Sequence, residues 1–263
     1  VVTAPASAHT FDPFADEKQG QLQLVAEQLR RGNAHEALLQ TNNALAKFPG
    51  HGPFYTLRAQ ILLKLGQAHE ALAAVEQAIE LTPDYALSYW IRGLIRQHQG
   101  HPAAAIEDFN QVLKREDQNQ TLMAQAMGSR GMALTDLGRH HEALEDLNRA
   151  LEVRPEAFAE RQFRAEVYLA VDRLAEAEAD IAELLAREPK LALLHRLQGE
   201  LSLKRRDPVR ARASLDKALE LNPTDGRAYR LRAAANKESG RPAAARADES
   251  KACELGETIS CKR

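Results

Sequence analysis

GRHHEALEDLNRALEVRP, residues 138–155, joins a glycine, two adjacent histidines, a cluster of acids and a closing proline. Histidines beside acids are candidate metal ligands or catalytic bases. The same grammar recurs as GQAHEALAAVEQAIELTP at 66–83 and GNAHEALLQTNNALAKFP at 32–49. A reactive site would not be copied at fixed spacing along one chain, whereas an architectural unit would.

The spacing is regular over most of the 263 residues. Ala37, Ala71 and Ala105 lie 34 apart, as do Ala143, Ala177, Ala211 and Ala245. Gly32, Gly66 and Gly100 keep the same step, and so do Pro155, Pro189 and Pro223. Ala105 to Ala143 spans 38, so four residues are inserted once, near Asp117–Met123, which predicts a longer second helix or linker in the third unit. Seven units follow, near 18–51, 52–85, 86–123, 124–157, 158–191, 192–225 and 226–259, flanked by tails at 1–17 and 260–263.

Each unit reads as two helices. The first stops at a glycine or polar turn such as Gly66 or Gly138. Pro102, Pro208 and Pro242 then stand where a second helix begins, and Asp207 suits an N-cap. The second helix ends at the terminal proline, which has no backbone donor to continue it. Small residues, Gly93, Gly131 and Gly199 in first helices and the alanine series in second helices, mark a close crossing. An alanine-rich chain with 5% aromatics suits helix-on-helix packing.

Over residues 18–259 this pattern resembles the tetratricopeptide repeat (TPR) family. Gly93, Gly100, Ala105 and Phe109 fit its motif in the third unit, and Gly131, Gly138, Ala143, Ala150 and Pro155 in the fourth. The family's tryptophan slot holds Tyr55, Tyr89 and Tyr229 in some units and Met127 or Arg161 in others. Asp172 and Arg206 stand where a turn glycine is expected. The resemblance implies an all-α, right-handed superhelical solenoid of about seven helix–turn–helix repeats.

His35, His69 and His141 occupy one slot in three different repeats, too far apart to share a metal, so they read as turn residues. Arg92, Arg130, Arg164 and Arg232 each precede an aspartate by 16 residues, at Asp108, Asp146, Asp180 and Asp248. Leu24 and Gln198, in the arginine slot of other units, face Gln40 and Ser214. Only Arg58, opposite Ala74, breaks the correlation. An arginine–aspartate pair between the two helices of a repeat explains it better than a nucleic-acid surface. No nucleophile–base–orienter set, phosphate loop or singled-out carboxylate pair occurs, so neither enzyme activity nor a cofactor is expected.

The net charge of −2 hides a basic stretch between Lys190 and Arg246, with 14 basic residues against 6 acidic. A solvated surface is its ordinary use; an acidic partner is the alternative. Cys253 and Cys261 bracket Gly256. On one continuous helix they lie about 12 Å apart, too far to bond. Free thiols are the expected state, while chain reversal at Gly256 would allow a small loop to close. No apolar run nears the roughly 20 residues that span a bilayer.

The resemblance further implies a non-enzymatic adaptor whose first helices line a groove for a protein or peptide. Its positions two, five, nine and twelve include Leu63, Leu87, Trp90, Leu94, Met132, Gln162, Arg196, Arg227 and Arg230. The lysine–asparagine set that clamps a terminal carboxylate in some members is missing from these slots. The expected partner carries an apolar or helical segment, acidic toward Arg227 and Arg230, with no nucleic acid involved. RNA binding and metal handling in the envelope are the alternatives; nothing addresses oligomeric state. Ala6-Ser7-Ala8 matches a secretory cleavage site, which suggests a periplasmic or secreted protein rather than a cytoplasmic one, in a bacterial envelope. N-terminal sequencing of protein exported by the native host should then find His9 first; a cytoplasmic product that keeps its upstream residues would refute the cleavage.

Overall fold

A computed structural model describes residues 12–115 and 119–257. Among them are fourteen α-helices and no strand. They alternate as first and second helices of successive pairs: α1 Ala15–Arg30 with α2 Ala34–Lys47, α3 Gly52–Lys64 with α4 Ala68–Leu81, and α5 Ala86–His98 with α6 Pro102–Leu113. Then come α7 Gln120–Asp136 with α8 His140–Val153, α9 Phe158–Ala170 with α10 Leu174–Arg187, α11 Ala192–Lys204 with α12 Pro208–Leu221, and α13 Gly226–Glu238 with α14 Pro242–Glu254. The chain divides into two compact units between Leu122 and Met123.

The helix ends follow from local chemistry. Pro102, Pro208 and Pro242 open α6, α12 and α14. Asp207 caps α12 by accepting from the Arg210 amide at 3.0 Å. At the turns, Gly66 takes φ +77°, and the Gln67 amide then donates back to the Leu62 carbonyl at 2.9 Å, satisfying an orphan acceptor of α3. Asp172 and Arg206 adopt the same left-handed conformation, each at φ +59°. Their turns close identically, with Arg173 donating to Tyr168 and Asp207 to Ser202, both at 2.9 Å. The missing glycines therefore leave the turn intact and load it with strain.

Helix pairs cross at contact distance. A Cβ on Gly93 would lie 2.5 Å from the Phe109 ring, one on Gly131 2.8 Å from Leu147, and one on Gly199 2.5 Å from Leu215. First helices also pack on the first helices of the neighbouring repeats, α1 on α3 on α5 in one unit and α9 on α11 on α13 in the other. Second helices of neighbouring repeats share no comparable packing among the described residues. Within each unit the stack therefore bends with its first helices inside and its second helices splayed.

The arginine–aspartate register is real contact. Arg130 donates Nε to Asp146 Oδ2 at 2.6 Å and Nη2 to Oδ1 at 2.7 Å. Arg164 grips Asp180 and Arg232 grips Asp248 in the same side-on manner, and Arg92 holds Asp108. All four aspartates are buried. Two arginines also reach 16 residues back: Arg164 Nη1 donates to Asn148 at 2.9 Å and Arg232 Nη1 to Asp216 at 2.7 Å. These guanidiniums tie three helices rather than two. Arg58, opposite Ala74, keeps a buried Nε with no acceptor among the described residues.

The four inserted residues do not lengthen the second helix of the third repeat. That helix, α6, has only 12 residues, while α7 has 17 against 13 in α5 or α9. The insertion extends α7 at its N-terminus by about one turn. Asn119 caps the extension, accepting from the Leu122 amide at 3.0 Å. Residues 116–118 of the expected linker lie outside the described residues.

Two outcomes test this account. Replacing Asp146 by Ala should cost about 1–3 kcal/mol, because Arg130 loses its carboxylate partner in a dry setting. A double-mutant cycle on Arg130 and Asp146 should show coupling; purely additive losses would mean they do not pair. Arg206→Gly should raise stability by about 1 kcal/mol, since an L residue in the left-handed region is strained by roughly that amount. An unchanged denaturation midpoint would show that no strain is stored there.

Candidate functional site

The first-helix face of the N-terminal unit is open and apolar. A cavity of about 510 Å³ lies between α1 and α3, lined by Ala26, Leu29, Leu57 and Leu63, with Gln60, Arg30 and Lys64 as its polar members. Lys64 Nζ leans across the gap to the Leu29 carbonyl at 3.4 Å. Leu63 continues toward α5, where Leu87, Trp90 and Leu94 are half-buried against the cluster of Ala59, Leu62, Val75, Ile91 and Ile95. Four of the expected groove residues thus share one face and one core. Trp90 is only partly buried there.

Sequence reading missed the α1 side of this cavity. The signal was available, because Leu29 stands 34 residues before Leu63, and Ala26 and Arg30 stand 34 before Gln60 and Lys64. The same groove register, carried back one repeat, marks Ala26 and Leu29, and Arg30 follows directly after.

In the C-terminal unit the corresponding residues make a self-paired polar face. Met132 is half-buried on α7. Gln162 donates to Glu166 at 3.1 Å on α9. Arg196 is buried and ion-paired with Asp225 at 3.0 Å, and that aspartate also caps α13 through the Ala228 amide. Arg227 holds Glu200 at 2.9 Å, and Arg230 holds Glu257 at 3.1 Å. The arginines expected to meet an acidic partner each hold an acid of this chain already. On the opposite, second-helix side, the hydrogen bond to Asp248 raises the pKa of Arg232 against the effect of burial, and Asp216 adds to it. Arg164 is raised likewise by Asp180. These charges are committed to folding.

The repeated histidines are exposed at the second residue of their helices, His35 on α2, His69 on α4 and His141 on α8. No cluster of three or more metal-ligating side chains occurs among the described residues. No described helix is long and apolar enough to cross a membrane. Cys253, on the last turn of α14, is disulfide-bonded. That corrects the expectation of free thiols: α14 ends at Glu254 and Gly256, with φ +93°, turns the chain, which lifts the bar that a continuous helix would set. Cys261 lies outside the described residues.

The sequence model of the tetratricopeptide repeat matches residues 22–86, 56–121, 92–159, 128–192, 164–225 and 196–258. A comparison with curated proteins finds no match. Among solved structures, a tetratricopeptide repeat protein from Parabacteroides merdae ATCC 43184 is similar at 20% identity with a TM-score of 0.64, over 92% of this chain and 94% of that one. YrrB, described as a TPR protein with an unusual peptide-binding site, is similar at 22% identity and a TM-score of 0.58, over 72% and 95%. PilF of Pseudomonas aeruginosa reaches a TM-score of 0.74 at 14% identity, over 85% of this chain and all of that one, a coverage of 100%. At such identities the likeness is one of fold. The family match, the helix pairs and their small-residue crossings agree: this chain belongs to the tetratricopeptide repeat family.

Proposed function

We propose that this protein is a non-enzymatic adaptor that binds an apolar, helical segment of a partner protein on the first-helix face of its N-terminal unit. The observation that carries the reading is the open cavity between α1 and α3, whose lining residue Leu63 packs on the same core cluster as the half-buried Leu87, Trp90 and Leu94. A large aromatic among apolar neighbours that exclude water is the usual anchor of a protein interface. The cavity is lined by four apolar residues on two neighbouring helices, with Arg30, Gln60 and Lys64 beside them, which suits apolar side chains of a partner rather than one small polar substrate. Acidic residues of the partner are assigned to Lys64 at the rim, because Arg227 and Arg230 already hold Glu200 and Glu257. TPR repeats commonly serve protein–protein interaction, and YrrB is described as having a peptide-binding site.

A location in the bacterial envelope belongs to the same proposal. The disulfide-bonded Cys253 supports it, since disulfides persist where the surroundings are oxidising.

Partner capture from the native host, with identification of the bound protein, tests the reading when run with variants in parallel. Trp90→Ala should weaken binding by about 2 kcal/mol or more. Leu63→Glu, which puts a charge in the trough without touching the tryptophan, should abolish it. Both variants should keep wild-type helix content, and the tryptophan fluorescence of the native protein should shift when the partner binds. Undiminished capture by both folded variants would move the site elsewhere.

A further inference from the structure

The splaying of second helices opens a different kind of cleft in the last two repeats. Between α12 and α14, with α13 as its floor, lies a cleft of about 390 Å³. Its polar lining is Arg212 and Asp216 from α12, Arg232 and Asn236 from α13, Arg241 just before α14 and Asp248 on α14. Three guanidiniums against two carboxylates leave one positive charge in excess. Both carboxylates are taken by Arg232, at 2.7 Å from Asp216 and 2.6 Å from Asp248. Arg212, half-buried, and Arg241, exposed, form no ion pair among the described residues, so they carry the positive charge of the cleft, while Arg232 with its two aspartates is left one charge negative.

The floor asks for something different. Asn236 is 4% exposed and donates Nδ2 to Asp248 Oδ2 at 2.9 Å. That bond fixes the amide orientation, since a flipped amide would set oxygen against carboxylate. Its Oδ1 is buried and has no donor among the described residues. The first turn of α14 borders the same space through Ala244, and no side chain caps that helix. Its free amides add to the pull on an anion. A single water would satisfy Asn236, but it fills only about 30 Å³ and leaves both guanidiniums unmatched.

We propose that this cleft binds a small oxyanion that also carries a hydroxyl group, a hydroxycarboxylate or a protonated phosphate. The oxyanion accepts from Arg212 and Arg241, and the hydroxyl donates to Asn236 Oδ1. The site is built from other helices than the first-helix trough and does not depend on it.

Titration calorimetry with malate, succinate and inorganic phosphate decides the matter, because succinate is malate without the hydroxyl. Malate, phosphate or both should bind, malate at least ten-fold tighter than succinate if it is the ligand type. Malate binding without phosphate assigns the carboxylate class, and phosphate binding without malate the phosphoryl class. The Arg212→Gln/Arg241→Gln variant should lose at least ten-fold in affinity, while Arg246→Gln, on the exposed side of α14, should not. Equal affinity for malate and succinate would remove Asn236 from the site. Binding by none of the three, or undiminished binding by the folded double variant, would overturn the proposal.

Discussion

The fold depends on a volume exchange at one crossing point per repeat. In the first six repeats the residue at the centre of the first helix stands opposite the residue 16 positions later on the second, and the two sizes compensate, whereas the seventh sets Ala233 against Glu249. Glycine stands opposite the largest partners, Gly93 to Phe109, Gly131 to Leu147 and Gly199 to Leu215. Alanine stands opposite β-branched ones, Ala59 to Val75 and Ala165 to Ile181, and in the first repeat Val25 matches Thr41. A close-packed interior tolerates neither a gap nor an extra methyl at such a point. A close crossing therefore recurs at Gly93, Gly131 and Gly199 while the facing side chains vary.

The arginine–aspartate pairs sit one residue beside this crossing and show how charge is used in the interior. A buried carboxylate is costly unless matched by a donor of the right shape, and the side-on guanidinium is such a donor. Such pairs contribute little net stability, but they penalise any sliding of one helix along the other. Arg164 and Arg232 extend the restraint to the preceding repeat through Asn148 and Asp216. Much of the basic character of the last repeats is therefore internal. Of its arginines, those at 196, 227, 230 and 232 are all engaged by acids of this chain. The cations left at the surface, rather than the total count, describe what the protein offers to an anion.

The two faces of the repeats consequently differ in chemistry. First helices crowd together, and where their side chains are short and apolar, between α1 and α3, they leave a greasy trough. Second helices splay, and the space between them is floored by the polar ladder. A helical apolar segment suits the former and a compact anion the latter, because each face presents whatever the crossing leaves exposed.

The amino-acid sequence by itself determined the period, the helix pairs, the turns and the arginine–aspartate partnership within a repeat. These depend on separations of 34 or 16 residues, which repeat because the local chain path repeats. Only the tertiary structure decided what happens between repeats. It routed the insertion into α7 under an Asn119 cap, brought Asn148 and Asp216 back onto arginines of the next repeat, and closed Arg196, Arg227 and Arg230 onto acids. It also joined Ala26 and Leu29 to Leu63 in one cavity. The physical reason is that a guanidinium reaches several helices from one backbone position. Which acceptor it takes depends on the offset between neighbouring repeats, a quantity that no single repeat encodes.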